Sequence, residues 1–200
     1  LSFVSPGVFS MNVARNNLDG GILITGSHMP PDRIGIIALL GDGSYAPPEI
    51  TDGLEERYRG FDRRVRLVPA DQIGHIEEAF HPYELYVSET IKEVDPRPIK
   101  ARRFKVLIDP ANGTASYVAK ELFEWYGCKV HLIHFDPNPV PSRPSEPRAG
   151  TVQAAIQATV ENGCDLGLCV DVDADRALFI THEGKPVSED TVGAIFAREE

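Results

Sequence analysis

The sequence predicts an α/β fold, with mixed, mainly parallel sheets and helices on both faces. Short apolar runs typical of buried strands alternate along the chain with segments of helical period. The composition, with 42% hydrophobic and 25% charged residues in 200 residues, is typical of one or two folded globular units. No run approaches the ~18 apolar residues of a membrane-spanning helix, so we expect no membrane partner.

Net charge and cysteine content indicate which partners and which cellular location to expect. A net charge of −10 should repel nucleic acid, so no nucleic-acid partner is expected. Three cysteines without C-x-x-C spacing favour reduced thiols and a cytoplasmic protein. No export or lipidation signal is recognised, which points the same way.

The first part of the chain combines helices with two short apolar strands. We predict helices over 8–17, 49–58 and 83–94, and buried strands over 22–25 and 36–40. Pro96 and Pro98 should discourage any helix there and favour an extended connection, so a domain boundary is placed between residues 96 and 97.

The second part has clearer strand and helix alternation. We predict strands over 105–108, 129–134, 166–170 and 177–181, and helices over 114–126 and 152–162. Gly127 and Gly163 are placed to end the two helices. The proline-rich segment 135–150 should be an ordered, extended surface connection.

Two loops at the ends of predicted strands hold the candidate chemistry. In the first, Thr25-Gly26-Ser27-His28-Met29-Pro30 puts a serine hydroxyl and a histidine where open α/β sheets bind ligands. The second, Asp171-Val172-Asp173-Ala174-Asp175-Arg176, crowds acidic groups that repel one another unless a hard cation such as Mg²⁺ or Ca²⁺ neutralises them.

Ordinary structural roles remain open for both loops. Ser27 and His28 could satisfy backbone groups in a turn, and the aspartates could form a solvated acidic turn. The aspartate spacing also opens an EF-hand loop. That template needs glycine at its sixth position and glutamate at its twelfth, where Arg176 and His182 stand, so an EF-hand is rejected.

The two loops together resemble the α-D-phosphohexomutase superfamily, which includes phosphomannomutases and phosphoglucomutases. Its phosphoserine loop, T-[AGS]-S-H-N-P, and its metal loop, D-G-D-[AG]-D-R, match residues 25–30 and 171–176. The run Asp109-Pro110-Ala111-Asn112-Gly113 is similar to the opening of the family's second domain, D-x-x-N-G. The resemblance spans nearly the whole chain.

The resemblance implies phosphohexomutase-like domains and a division of the chain among them. Residues 1–96 would be the C-terminal part of domain I, 97–185 domain II with the metal loop, and 186–200 the start of domain III. The implied activity interconverts hexose 1-phosphate and 6-phosphate of mannose or glucose, through a phosphoserine and a bisphosphate. The implied partners are hexose phosphate and hexose bisphosphate, and a homo-oligomer is a further expectation.

The resemblance also implies the roles of single residues. Ser27 would carry the phosphoryl group, with His28 orienting it or moving a proton and Arg176 neutralising a transferring oxygen. Mg²⁺ would be the cofactor, bound by Ser27, Asp171, Asp173 and Asp175. Arg176 and Arg33 would bind substrate.

Departures from the family pattern keep other functions open. Met29 and Val172 replace the family's Asn and Gly, and Ile37 stands where the family commonly has a lysine that assists proton transfer. Arg33 is the nearest cation that could replace that lysine. The alternatives are a catalytically weakened sugar-phosphate-binding homologue, a phosphoglucosamine mutase, and a metal-dependent phosphatase.

Overall fold

The computed structural model describes residues 3–26, 29, 32–61, 68–78 and 81–199. Its N-terminal part places helices beside one β-hairpin, and each predicted element starts within two residues of its expected position. These elements are α1 (Pro6–Arg15), β1 (Gly20–Thr25), β2 (Gly35–Leu40), α2 (Pro48–Arg59) and α3 (Pro82–Glu93), with a 3₁₀ turn at Ala70–Gln72.

Helix α1 is fixed at both its start and its buried face. Ser5 caps it by accepting the Val8 amide at 3.4 Å, and Pro6 lies in the first turn, where its missing N–H is not needed. The Asn12 side-chain amide donates to the carbonyl oxygen of Pro82 at 2.9 Å. This contact ties α1 to the start of α3.

The prediction that both hairpin strands are buried is wrong for one face of the hairpin. Strands β1 and β2 pair antiparallel, and side chains alternate between the two faces. Phe9 of α1 packs closely beside Gly21, on the face where Leu23 is buried. The opposite face is 65–70% exposed at Ile22, Ile24 and Ile36.

The expected extended connection at Pro96 is wrong, because the chain forms helix α4 (Pro96–Arg102) there. Asp95 caps the helix by accepting the Arg97 amide at 3.0 Å. Pro96 and Pro98 both fall in the first turn, where the backbone N–H groups have no partner within the helix. Prolines at these positions therefore start a helix instead of breaking it.

The second part of the chain is built on a five-stranded mixed sheet. Its strands lie in the order β4-β3-β5-β6-β7, with β3 parallel to β4 and β5, and with β6 antiparallel to β5 and β7. The strands are β3 (Lys105–Asp109), β4 (Lys129–Leu132), β5 (Leu166–Val170), β6 (Ala177–Thr181) and β7 (Pro186–Val187). The helices are α5 (Ala119–Trp125), α6 (Gln153–Glu161) and α7 (Glu189–Glu199).

Helices cover both faces of this sheet, as predicted. Val106 and Ile108 of β3 belong to a core that contains Ala119 of α5. Leu107, which points to the other face, belongs to a second core that contains Ala155 of α6. The central strand is thus buried on both sides, and its carboxyl end lies beside that of β5.

The single helix predicted over 114–126 is wrong, because the chain forms a 3₁₀ turn at Thr114–Tyr117 before α5. The Thr114 amide donates to the carbonyl oxygen of Val172 at 2.8 Å, a long-range contact that ties this turn to the loop after β5. Gly127 ends α5 as predicted, with a φ of +79° that favours glycine.

Two further expectations concern cysteines and membranes. Cys128, Cys164 and Cys169 are unpaired and buried, as the sequence predicts. Within the ranges that the structure describes, no helix is both long and apolar enough to cross a bilayer.

Candidate metal centre

The three aspartates lie on the hairpin loop between β5 and β6. The loop is closed by the strand pair Val170 and Ala177. Ala174 adopts the left-handed conformation, with φ of +60°, and donates its amide to the Asp171 carbonyl oxygen at 3.1 Å. The left-handed turn at this small residue reverses the chain between the last two aspartates.

The carboxylates of Asp171, Asp173 and Asp175 converge. One oxygen from each lies within 4.8 Å of the others, and the first two residues are buried whereas Asp175 is exposed. In the part of the chain that the structure describes, this is the one group of His, Cys, Asp or Glu side chains with such geometry. The three aspartates that the sequence analysis singles out are thus close together, and their role as cation ligands stays a prediction.

Each buried carboxylate has one oxygen held by the protein and one left over. Asp171 Oδ1 accepts the backbone amides of Asp175 at 3.0 Å and Arg176 at 3.1 Å. Asp173 Oδ2 accepts the Thr25 hydroxyl at 3.0 Å. The other oxygens, Asp171 Oδ2 and Asp173 Oδ1, are buried without a hydrogen-bond partner among the described residues.

The buried position of Asp171 and its acidic neighbours shift the pKa of its carboxyl. Burial above all, with the neighbouring carboxylates of Asp175 and Asp173, raises the pKa of its carboxyl from 3.8 to about 7, against the lowering effect of the Arg176 amide. A buried carboxylate oxygen without a donor is unfavourable in itself. A bound cation would supply the missing partner and favour the ionised form.

The donor set fits a hard divalent cation. All the candidate donors are carboxylate oxygens, which Mg²⁺ and Ca²⁺ prefer, and the loop offers none of the His or Cys donors typical of zinc sites. Asp171, Asp173 and Asp175 are thus the residues of the described chain that could hold Mg²⁺.

Of the other predicted site residues, only Arg176 lies beside the aspartates in the described part of the chain. Ser27 and His28 lie outside the described residues. Arg33 is exposed and makes no hydrogen bond or ion pair with the described residues of the aspartate loop. Arg176 follows the last aspartate and pairs with Glu146, Nη1 to Oε1, at 2.5 Å. Both line a cleft of about 370 Å³ beside the loop, together with Asp175, Ala177 and Glu189.

Sequence reasoning missed several residues around this centre. It gave no role to Arg143, whose side chain is 5% exposed and pairs with the buried Asp109 at 2.8 Å. The proline-rich segment is therefore not only a surface connection. Asp109 also lies 3.2 Å from His134 Nδ1. A charged residue at the end of an apolar strand was the available signal, because such a group needs a buried partner.

Two family profiles match most of the chain. The family profile described as "Phosphoglucomutase/phosphomannomutase, alpha/beta/alpha domain II" matches residues 84–184, and the profile for domain I of the same family matches residues 2–64. The chain belongs to the phosphoglucomutase/phosphomannomutase family. The fold and the family resemblance predicted from sequence are confirmed.

Relatives in this family carry several names. A phosphoglucomutase/phosphomannomutase of Thermococcus kodakarensis is 34% identical over 90% of this chain and 39% of its own length. A phosphoglucosamine mutase of Corynebacterium efficiens is 36% identical over 90% of this chain and 39% of its own length. A phosphopentomutase of Thermococcus kodakarensis is 34% identical over 92% of this chain and 40% of its own length. The chain thus spans about two fifths of the length of these mutases.

Solved structures share the fold. A candidate phosphomannomutase from Thermus thermophilus superposes with a TM-score of 0.80 at 19% identity, over 98% of this chain and 45% of that one. A phosphoglucomutase/phosphomannomutase family protein from Burkholderia thailandensis superposes with a TM-score of 0.73 at 24% identity, over 91% of this chain and 38% of that one.

Proposed function

We propose that this chain is the phosphoserine- and metal-bearing part of a Mg²⁺-dependent phosphohexomutase that interconverts hexose 1-phosphate and hexose 6-phosphate. The observation that carries the proposal is the converged aspartate cluster, with two buried oxygens that lack partners in the described chain. The family membership and the mutase names of the relatives support the reaction type.

Thr25 supports the proposed link between the cation and Ser27. Its hydroxyl contacts Asp173 at 3.0 Å across 148 positions of sequence. Thr25 precedes Ser27 by two positions, and two residues of chain span at most ~7 Å, which supports the proposal that Ser27 acts at the cation. A phosphoryl group on Ser27 would carry about −1.5 to −2 charges and could not persist near bare carboxylates.

The proposed reaction exchanges one phosphoryl group between Ser27 and the sugar. The P–O bond to Ser27 breaks while a P–O bond forms to the free hydroxyl of the hexose monophosphate, and that hydroxyl's proton passes to the leaving serine oxygen, with His28 as the carrier. In the second step the P–O bond between the sugar and the other phosphoryl group of the bisphosphate breaks, that group binds the Ser27 oxygen, and the serine proton passes to the sugar oxygen. Arg176 would bind a transferring oxygen. Mg²⁺, when bound, supplies charge neutralisation at the phosphoryl oxygens.

The finer assignments belong to the same proposal. We propose mannose or glucose phosphates as substrates, with Arg33 and Arg176 at the phosphate groups, a cytoplasmic protein and a homo-oligomer. The proposed domain division is residues 1–96, 97–185 and 186–200. Relatives named phosphoglucosamine mutase make glucosamine phosphate the substrate to test beside them.

The test measures phosphorylation of the protein and its turnover of hexose phosphates. The protein is expressed with all of the coding sequence around these residues. Intact-mass measurement after incubation with hexose 1,6-bisphosphate and Mg²⁺ should find one phosphoryl group, absent from Ser27→Ala and retained in the matched control Ser44→Ala. Glucose, mannose and glucosamine 1-phosphates are then assayed for conversion to the 6-phosphates. A Ser27→Ala protein that still converts any of them would refute the proposed reaction.

The second candidate is a weakened sugar-phosphate-binding homologue, and Ile37 favours it. Ile37 lies on β2 opposite Leu23, at the position where the family commonly has a lysine. This candidate predicts cation binding without bisphosphate-dependent turnover. Release of inorganic phosphate in proportion to substrate would instead indicate a phosphatase.

A further inference from the structure

The segment 143–146 crosses the base of the aspartate loop. All five N–H groups of the Arg143 guanidinium find acceptors. Nε and one Nη2 donor bind Asp109, at 2.8 Å to Oδ2 and 3.2 Å to the carbonyl oxygen. Nη1 binds the carbonyl oxygens of Pro144 and Ser145, and the other Nη2 donor binds that of Val170 at 2.6 Å. Val170 is the residue immediately before the first aspartate.

Val172, between the first two aspartates, is held from two sides. Its amide donates to Ser145 Oγ at 3.2 Å, and its carbonyl oxygen accepts the Thr114 amide at 2.8 Å. There is no free space on the Thr114 side, because a Cβ on Gly113 would lie 2.2 Å from that carbonyl oxygen. The backbone between Asp171 and Asp173 therefore has a fixed orientation.

The third contact lies at the far end of the loop, where Glu146 pairs with Arg176. The segment itself is anchored away from the loop, since Asn112 Oδ1 accepts the Ser142 amide at 2.9 Å. Contacts before, between and after the aspartates thus come from a single stretch of the proline-rich segment. Such contacts orient carboxylates without binding the cation themselves.

We propose that Arg143, Ser145 and Glu146 are positioning residues that hold the aspartate loop in its cation-binding shape. The inference rests on the cation site of the proposed function. Arg143 suits this role because its planar, fully buried fork reaches the Asp109 strand and the Val170 carbonyl oxygen together, which the three donors of lysine could not do. Ser145 contacts the backbone between the first two aspartates through its side-chain hydroxyl, which a mild substitution can remove.

The test compares Ser145→Ala with Ser142→Ala in the protein expressed with all of the coding sequence around these residues, with Mn²⁺ as the probe. The contact of Ser142 uses its backbone amide, which alanine keeps, so this variant is the matched control. Electron paramagnetic resonance titration should give a dissociation constant about 10-fold weaker for Ser145→Ala, the lower end of the effect of such supporting contacts. Ser142→Ala should match the unsubstituted chain.

The outcomes separate this inference from the proposed function. Equal Mn²⁺ affinity in all three proteins, or an equal loss in both variants, would overturn the positioning role while leaving the cation site in place. A lower urea midpoint of the metal-free Ser145→Ala chain without a change in affinity would show a purely structural role, and also overturn it. No Mn²⁺ binding by the unsubstituted chain would refute the cation site, and the positioning role with it.

Discussion

Replacing Asp171 by asparagine should stabilise the metal-free chain at neutral and higher pH. The new side chain keeps a carbonyl oxygen for the Asp175 and Arg176 amides, which hold Oδ1 at 3.0 and 3.1 Å. It removes the buried negative charge that the free site must otherwise carry. A substitution at a cation ligand is thus expected to improve folding while it abolishes binding.

The magnitude follows from the pKa of Asp171. Burial raises that pKa from 3.8 to about 7, so the folded state holds the proton more tightly than the unfolded state. Stability from this group is complete below pH 3.8 and is lost as the pH rises through about 7. A shift of roughly three units at 1.36 kcal/mol each corresponds to ~4 kcal/mol at pH 8.

Urea unfolding from pH 5 to pH 8.5 in the presence of EDTA measures the effect. The unsubstituted chain should lose stability over this range relative to Asp171→Asn, and saturating Mg²⁺ should restore it in the unsubstituted chain only. Parallel pH profiles for the two metal-free proteins would refute the reasoning, because they would mean that Asp171 titrates alike in the folded and unfolded chains.

Three further outcomes are expected. Thr25→Val should weaken Mn²⁺ binding about 10-fold while Thr25→Ser binds normally, since only the hydroxyl supports Asp173; equal binding by both variants would contradict this. Asp109→Asn leaves the Arg143 charge buried alone and should cost ~3–5 kcal/mol in urea unfolding, whereas Asp95→Asn at an exposed pair should leave the unfolding midpoint nearly unchanged; similar shifts for both variants would contradict it. Gly113→Ala should lower the free energy of unfolding by ~1–3 kcal/mol, because its Cβ has no room; an unchanged value would show that the contact is loose.

The sequence predicts most of the fold, because strand and helix periods are local properties. It fails where the outcome depends on position within an element or on a distant contact. Pro96 and Pro98 look like helix breakers until their place in a first turn is known. The 3₁₀ turn at Thr114–Tyr117 departs from the helical period of residues 114–126, and its contact with Val172 lies 58 positions along the chain.

Some residues of the candidate site could likewise be predicted from the sequence, and others could not. Asp171, Asp173 and Asp175 could be predicted because they lie within five residues of chain and their mutual repulsion is evident from spacing alone. The support of Thr25 for Asp173 could not, because it joins two parts of the fold. Arg143 gave no signal, since an arginine among prolines is typical of a solvated surface.

The β5–β6 hairpin carries all three carboxylates of the candidate cation site. The ends of this loop are joined by the Val170 and Ala177 pair, so bringing the three carboxylates together requires no closure of two domains, whereas Thr25 and Ser27 come from the N-terminal part of the chain. Ion selectivity of the three carboxylates can therefore be measured as direct binding, separately from any assay of turnover. Affinities obtained in this way describe the ground state of the centre, before any sugar phosphate is present.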